Sequence, residues 1–467
     1  MRLRQRFAEQ KQFYLSVLSI MLPVALQQAI NMGVNMMDTI MLGSFGEAQL
    51  SASNLANQYY NFFTIFNMGI VGGASVLSAQ YWGSGDLDRV REAFSLAIRL
   101  SFLLSVFFMI LTLLFPAQIM RIYTPDPEVI AYGVRYLQVT AFIFTIHGTG
   151  FVAAQMMRSV GQARLGLLVS CISFSVNLFA NYVFIFGKFG APRLEIAGAA
   201  LGTLIARITE FLTTYLYIMW HDKKLGFRPK HLAKNPSRAF YASYWKLGAP
   251  VLLSDALLGL GGSMVSVILG HMGKAVVAAN SICQVVDRLC TVINMGISNA
   301  ASIITGNTVG RGDREQAMRQ GRQFYGFSLV FGVVGGLLIL LIGPASIRLY
   351  DIAPETVAIA RSLMYSHAVI MLFQAVQSVM TKGVLRGGGD TKFLMRADIL
   401  FMWLVAIPLG ALGGLVFHWA PWITILCLRS DFMIKSIWCV GRLRSGKWIH
   451  LADGIRDIQT ERNSNHG

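Results

Sequence analysis

Long runs of apolar residues recur along the 467-residue chain, separated by short clusters of Gly, Pro and charged residues. Each run is long enough for the roughly 20 residues with which an α-helix crosses a bilayer. The alternating segments of ~10 residues that are typical of membrane β-strands are absent. The pattern predicts an all-α integral membrane protein of about twelve transmembrane helices. The predicted spans are approximately 15–42, 53–80, 92–115, 132–157, 165–187, 196–220, 247–270, 275–305, 323–343, 362–385, 393–417 and 421–441.

The composition supports a membrane protein. Apolar residues make up 54% of the chain and charged residues only 13%, whereas soluble domains carry about 25% charged residues. The first apolar run is too long for the core of a secretory signal, so we expect it to remain as the first span. The five cysteines all lie in apolar stretches without metal-ligand spacing and are expected to be free thiols.

The net charge of +17 is explained by where Lys and Arg lie. They concentrate on the side that carries the N-terminus, the loops after even-numbered spans and the C-terminus. The positive-inside rule therefore predicts a multi-pass protein with both termini cytoplasmic. The most basic segment, 221–246, is expected to be a cytoplasmic linker near anionic lipid. This distribution gives no reason to expect nucleic-acid binding.

The second half of the chain repeats the first. Pro23 and Pro250 differ by 227 residues, and the same offset relates Asn-Met-Gly-Ile at 67–70 to the identical run at 294–297. Further along, with one inserted residue, the Arg158 motif matches the Arg386 motif. Chance similarity between apolar segments would not keep Gly, Pro and Asn in register over this length, so the sequence predicts an internal duplication.

Six spans in each half mean that both halves enter the membrane from the same side. We expect two six-helix lobes related by a pseudo-twofold axis along the membrane normal, which is the architecture of an alternating-access transporter. The predicted division is an N-terminal lobe at 1–220, the linker at 221–246, a C-terminal lobe at 247–445 and a cytoplasmic tail at 446–467.

Several motifs resemble those of the multidrug and toxic compound extrusion (MATE) transporters, bacterial type. They are NMMDTIMLG at 35–43, NLFANYVFIFG at 177–187, GAALGT at 198–203, LRGGGDTK at 385–392 with a weaker copy at 157–164, and RSDFMIK at 429–435. The resemblance implies a central cavity and export of amphipathic, often cationic drugs or metabolites against a proton or sodium gradient. It also places the coupling-ion aspartate of the family at Asp38.

Polar residues inside predicted spans are candidates for function because they are costly to insert into lipid. Asn31 and Asn35 precede Asp38 by seven and four positions, so the three share one helix face. In the fifth span, Asn177 and Asn181 also lie one turn apart. Amide oxygens either coordinate a cation or tie helices together. We predict a coupling-ion site from Asp38, Asn35, Asn177 and Asn181, and a substrate contact from Asn31.

The sixth predicted span adds a further polar stripe. Arg207 and Glu210 are three residues apart, which predicts a local ion pair, and Thr203 lies one turn before Arg207. Thr203 is predicted to join the polar cluster of the first lobe as a substrate contact. The single histidines His147 and His367 are expected to be satisfied core or cavity residues, because no second metal ligand is suitably spaced.

The second lobe offers different acids. Asp255 has no basic residue within a turn of its helix, so we predict an unpaired carboxylate. It fits a coupling acid, a counter-charge for cationic substrates or a structural residue, and we favour the substrate contact. Asp287 adjoins Arg288 and fits either a cavity acid or an inter-helix salt bridge. One branch of the family carries an aspartate in the tenth span, where this chain has glutamine. We include Asp287 and Gln377 among the predicted substrate contacts.

Two further acids are expected to be structural or cytoplasmic-side charges. Asp398 lies near Arg396 in the eleventh predicted span, and Asp431 lies near Arg429 in the twelfth. Each acid therefore has a basic neighbour on its own helix.

Three other functions stay open as alternatives. A lipid-linked oligosaccharide flippase of the same superfamily would usually have additional spans and more basic residues in its cavity helices. A membrane-embedded enzyme would need a motif such as HExxH or GxSxG, which the sequence lacks. An ATP-driven pump would need GxxxxGK[ST], and GHMGKA falls short of it.

The sequence favours a secondary transporter over an enzyme. We expect a monomer in the bacterial-type inner membrane, with no cofactor besides the coupling ion and with lipid and small amphipathic molecules as partners.

Overall fold

A computed structural model of the protein describes residues 2–43, 47–233, 235–348, 350, 352–452 and 455. These residues are almost entirely helical. The helices are α1 (Arg2–Gly43), α2 (Glu47–Ser84), α3 (Leu87–Leu114), α4 (Pro116–Tyr123), α5 (Pro127–Ser159), α6 (Ala163–Phe186), α7 (Ile196–Leu216), α8 (Pro229–Ala233), α9 (Arg238–His271), α10 (Lys274–Gly310), α11 (Arg314–Ile347), α12 (Pro354–Ser378), α13 (Thr391–Asp398), α14 (Ile407–Ala411), α15 (Pro421–Leu428) and α16 (Ser430–Ser445).

Eleven helical segments within the described part of the chain are long and apolar enough to cross a membrane. They correspond to the first eleven predicted spans. The predicted twelfth span, 421–441, is instead divided between α15 and α16, because the backbone of Arg429 leaves the helical region with φ −112° and ψ 11°. The first helix also begins at Arg2, well before the predicted start at 15.

Several spans change from α-helical to π-helical winding within their length. Val379–Leu385 continues α12, and Ile399–Ala406 continues α13. A π-helical turn holds one more residue than an α-helical turn and is frequent at functional sites. A π-helical turn therefore rotates the residues that follow it onto a different face of the span. A prediction from regular α-helical spacing places those residues on the wrong face.

The described chain divides into two compact units. Counting the described residues alone, the N-terminal unit comprises those of 26–78 and 87–241, and the C-terminal unit comprises those of 1–25, 79–86 and 242–467. The first half of α1 belongs to the C-terminal unit, where the ring of Phe13 lies 5.3 Å from that of Phe324. The predicted division of the chain at 220 and 247 stays a prediction, and residues 456–467 of its tail lie outside the described residues.

Each unit has its own apolar core. In the N-terminal unit, aromatic side chains from α2, α3 and α5 form the centre, and the rings of Phe63 and Phe144 lie 4.9 Å apart, edge to face. Such aromatic pairs stabilise by about 1 kcal/mol beyond their buried area. In the C-terminal unit, aliphatic and sulfur-containing side chains of α9, α10, α11 and α12 pack together, with Leu363 and Met371 fully buried.

The basic linker begins with an ordered turn on the N-terminal unit. Asp222 accepts hydrogen bonds from the backbone amides of Lys224, Leu225 and Gly226, and from the side-chain amide of Gln162 at 2.8 Å. The Arg91 side chain donates to the Leu225 carbonyl at 2.9 Å. The start of the linker is therefore fixed to the unit by specific hydrogen bonds, in addition to its basic character.

The chain after α16 packs against the turn that precedes α13. Trp448 is fully buried, and the amide of His450 donates to the Gly388 carbonyl at 2.8 Å. Asp390, which lies outside the membrane-spanning segments, accepts from Arg442 at 2.7 Å. Burial raises the pKa of Asp390, but hydrogen bonds from His450 and Arg442 outweigh burial and hold that pKa below its usual value.

The internal duplication is visible in matching turns. Gly161 and Gly389 both adopt positive φ, of 80° and 87°, as glycine does at little cost. After each glycine, the next amide donates five residues back: Gln162 to the Met157 carbonyl and Asp390 to the Leu385 carbonyl. Two segments of the chain thus repeat one turn geometry, as the sequence predicts.

A close backbone approach lies within the C-terminal unit, between residues 79–86 and α10. A Cβ atom on Gly83 would overlap the Asn307 carbonyl, and a Cβ on Gly310 would overlap the Gln80 carbonyl. Gly83 and Gly310 are 227 residues apart and so occupy matching positions in the two halves of the sequence. Because neither has a side chain, the backbones of the two helix ends pack directly against each other.

We expect Gly310→Ala to destabilise the protein by about 1–3 kcal/mol, because the added methyl group must push the Gln80 backbone away. Gly326→Ala is the matched control, since open space surrounds Gly326 on α11. Thermal unfolding in detergent measures both variants. Equal unfolding temperatures for the two would show that the close packing contributes nothing.

Candidate functional site

Asp38 and two amides from α6 form a hydrogen-bonded cluster in the N-terminal unit. The side-chain amide nitrogen of Asn181 donates to the Asp38 carboxylate at 2.6 Å and to the Asn177 oxygen at 3.3 Å. Asn177 and Asn181 are buried, whereas Asp38 is half-buried. The structure therefore brings together three of the four residues predicted for the coupling-ion site.

A glycine in α7 makes room for this cluster. A Cβ atom on Gly202 would overlap the side-chain oxygen of Asn181. Gly202 belongs to the GAALGT motif, whose sequence gives no sign of this contact. The small residue allows α7 to pack closely on α6 while the Asn181 amide points to Asp38.

The other predicted residues of the first lobe lie around the cluster. Asn31 and Asn35 share the Asp38 face of α1 and are exposed. The Thr203 hydroxyl donates to the Ala199 carbonyl of its own helix at 2.9 Å. Thr203 therefore satisfies its hydrogen-bonding group locally, and its predicted contact with substrate stays a prediction.

A second polar cluster lies between α5 and α7. Arg207 and Glu210 form the predicted ion pair, with the guanidinium 2.6 Å from the carboxylate. The Nδ1 atom of His147 lies 3.7 Å from the same carboxylate. Arg207 also acts electrostatically on Asp38. His147 is buried, as expected for a core or cavity histidine, and Glu210 is the ionisable group beside it.

The fourth and tenth spans each carry an arginine that reaches the first span of its own half of the duplicated chain. In the N-terminal unit, Arg158 donates to the Gln27 side-chain oxygen at 2.6 Å. In the C-terminal unit, Arg386 binds both carboxylate oxygens of Asp255, at 2.9 and 3.3 Å. The duplicated arginine thus keeps its role, while its acceptor is neutral in one unit and anionic in the other.

The prediction of an unpaired Asp255 is therefore wrong. Its partner Arg386 is 131 residues away in the sequence, so inspection of one helix could not find it. The ion pair compensates the Asp255 charge, which weakens the case for this residue as a free counter-charge. The internal duplication contained a sequence signal for this ion pair. It aligns Arg386 with Arg158, and it aligns Asp255 with the residue next to Gln27, which is the partner of Arg158.

A buried lysine links two further acids of the C-terminal unit. The Lys435 ammonium group lies 3.0 Å from Asp398 and 2.8 Å from Asp431, and Lys435 is fully buried. The Ser254 hydroxyl donates to Asp398. Asp398 and Asp431 are thus structural acids, as expected, but their partner is Lys435. The sequence did contain a signal for the Asp431–Lys435 pair, because residues four positions apart lie on the same face of a helix.

Asp287 forms an inter-helix pair. Its carboxylate lies 2.9 Å from the Nδ1 atom of His367 on α12. The sequence left a cavity acid and a salt bridge open, and the structure gives the inter-helix pair, with histidine as the partner. His367 is thereby satisfied on one ring nitrogen, as expected for a buried histidine.

Gln377 lies in the wall of a cavity of about 230 Å³ within the C-terminal unit. Its side-chain amide donates to the Thr381 hydroxyl at 3.0 Å. The cavity is lined by Leu258, Thr291, Asn294, Met295, Gln374, Gln377, Ser378, Lys382, Met402, Arg429, Asp431 and Phe432. Asp255 and Asp287 are not among these residues.

The fold and its intramembrane polar clusters define a polytopic α-helical transporter. A model of the MatE family matches residues 23–183 and 250–412, once in each half of the duplicated chain. The chain belongs to this family, the multidrug and toxic compound extrusion transporters. The expectations of an all-α, two-lobed, multi-pass membrane protein and of a transporter rather than an enzyme are thereby confirmed.

Curated relatives match most of the chain. The probable multidrug resistance protein NorM of Neisseria meningitidis serogroup B is 26% identical, over 90% of this chain and 92% of its own length. The multidrug resistance protein NorM of Burkholderia vietnamiensis is 28% identical, over 85% and 86% respectively.

A crystal structure of MATE in the straight conformation has the same fold. It has a TM-score of 0.83 and 16% identity, over 92% of this chain and 96% of its own.

We expect Arg386→Gln to destabilise the protein by about 2–3 kcal/mol, because it leaves the half-buried Asp255 carboxylate without its partner. Adding Asp255→Asn should restore most of the lost stability, since no unpaired charge then remains. The exposed Arg396→Gln is the control variant. Chemical unfolding in detergent measures the three variants. A double variant less stable than Arg386→Gln alone would contradict the pairing argument.

Proposed function

We propose that the protein is a cation-coupled antiporter that exports amphipathic, often cationic drugs or metabolites by alternating access. The observation that carries this proposal is the cluster of Asp38, Asn177 and Asn181. A half-buried carboxylate held by amides inside a span is a costly arrangement that a purely structural helix contact does not need.

The chemistry of the cluster suits a small cation. Carboxylate and amide oxygens are the ligands that hard cations such as sodium prefer, and a carboxylate also binds a proton. The Asn181 nitrogen donates to both Asp38 and Asn177. When Asp38 takes up a proton or a sodium ion, its negative charge is neutralised and this hydrogen bond weakens. Ion binding would thereby change how α1 packs on α6.

The neighbouring ion pair supports a reversible site. Arg207 acts on Asp38, and its own charge is balanced by Glu210 at 2.6 Å. A fully paired Arg207–Asp38 salt bridge would hold Asp38 permanently ionised. Because Glu210 takes the short contact with Arg207, Asp38 keeps the freedom to bind and release an ion.

The relatives support the substrate class. The Neisseria and Burkholderia proteins carry the description of multidrug resistance proteins. We propose the same class of cargo for this chain, in a bacterial-type inner membrane with both termini cytoplasmic. Among the predicted substrate contacts, Gln377 is the best supported, because it lines a cavity.

We expect Asp38→Asn to reduce ion-coupled export of ethidium to the level of protein-free liposomes, because the amide keeps the shape but cannot bind a proton or carry charge. The measurement uses proteoliposomes loaded with dye, with proton and sodium gradients imposed separately to identify the coupling ion. Asp88→Asn, which changes an exposed carboxylate that pairs with Arg91 outside the cluster, should keep wild-type export. Unimpaired export by a stable Asp38→Asn protein would overturn the proposal.

A further inference from the structure

The cavity of the C-terminal unit has a basic lining. Lys382 and Arg429 are its two cationic residues, and Asp431 is its single carboxylate. Lys382 comes from the π-helical end of the tenth span, and Arg429 from the break between α15 and α16. Both irregular backbone segments thus bring a cation to one cavity.

The single carboxylate in this lining has another partner. Asp431 is 1% exposed and lies 2.8 Å from the ammonium group of Lys435, which is itself outside the lining. Across the described residues, neither Lys382 nor Arg429 has a carboxylate within salt-bridge distance. Asp255 feels the field of Lys382, but both of its oxygens bind Arg386.

The local charge therefore has an excess of one positive unit. The cavity and its adjoining ion pairs contain four cationic residues and three carboxylates. The cations are Lys382, Arg386, Arg429 and Lys435, and the acids are Asp255, Asp398 and Asp431. Lys382 is exposed and Arg429 is half-buried, so both cations are open to a ligand, and a bound anion would balance the excess positive charge.

The remaining lining selects the kind of anion. The amides of Gln374 and Gln377 stand beside the cations, and the apolar wall includes Leu258, Met402 and Phe432. Lys and Arg both form charge-assisted hydrogen bonds with carboxylates. A volume of about 230 Å³ is below the roughly 300–1,000 Å³ of sites that enclose a whole drug-sized ligand. The cavity thus matches a fragment that joins a carboxylate to an aromatic ring.

We propose that this cavity binds the carboxylate end of aromatic amphiphiles, so that zwitterionic and anionic compounds are substrates of the transporter. Lys382 and Arg429 hold the carboxylate, and the apolar wall holds the ring. The role in transport rests on the proposed function, whereas binding to the cavity does not. The two are therefore tested separately.

Binding is measured on the purified full chain in detergent, with benzoate and benzamide as probes of equal shape and different charge. Benzoate should raise the unfolding temperature of the wild-type protein in a saturable manner, and benzamide should not. Equal shifts from the two probes would overturn the proposal, as would a shift that chloride at the same concentration reproduces, since that would indicate an inorganic anion site.

Variants locate the site. Lys382→Gln and Arg429→Gln should each weaken benzoate binding by about tenfold, a typical loss for one charge-assisted contact. Lys382→Arg keeps the charge and should stay within about threefold of wild type. The exposed control variants Lys392→Gln and Arg444→Gln should bind benzoate like the wild type. Wild-type affinity in both cavity variants would refute the assignment.

Transport is measured with rhodamine 110 and rhodamine 123, which differ by a free carboxylate and its methyl ester. Lys382→Gln should reduce transport of rhodamine 110 several-fold more than that of rhodamine 123. An equal reduction for both dyes would overturn the role of the cavity in substrate recognition. Failure of the wild type to move either dye, with benzoate binding intact, would refute the proposed function and leave the binding site standing.

Discussion

Lipid offers no partner to a charged side chain, so each ion placed inside a span must be compensated by the protein. The structure meets this constraint by pairing charges across helices within one unit: Arg386 with Asp255, and Lys435 with Asp398 and Asp431. Breaking such a buried pair typically costs about 3–5 kcal/mol. These pairs therefore fix which helices lie side by side, and the polar clusters depend on that arrangement.

The two halves of the chain share the arrangement of their helices because of the duplication, and they differ in a few polar side chains that determine what each unit can bind. Both units keep an arginine from the fourth helix of the repeat that bonds to the first helix, but the acceptor is Gln27 in one and Asp255 in the other. The N-terminal unit combines its carboxylate Asp38 with the buried side chains of Asn177 and Asn181. The same helical scaffold thus carries an acidic cluster in one unit and a cavity with an excess of positive charge in the other.

Helical spacing in the sequence was sufficient for spans, duplication and residues on one helix. It predicted the face shared by Asn177 and Asn181 and the Arg207–Glu210 pair. It could not predict partners on other helices, because spacing defines a face and not the helix that the face meets. Arg386 and Lys435 were missed for this reason. The break at Arg429 and the π-helical turns were missed because a mostly apolar segment reads as one regular helix.

The beginning of α1 and the segment that follows α16 both pack into the C-terminal unit. Phe13 packs on Phe324, and the buried Trp448 follows the last long helix. The ribosome makes Phe324 roughly 300 residues after Phe13, which at typical synthesis rates is a delay of roughly 15–60 s. During that time the first half of α1 must wait in the membrane without its partners, whereas the ribosome has made all of residues 26–241 before it reaches residue 242 of the C-terminal unit. The order of synthesis therefore sets an order of assembly in the membrane. All residues of the N-terminal unit are present before α1 can pack against its partners in the C-terminal unit.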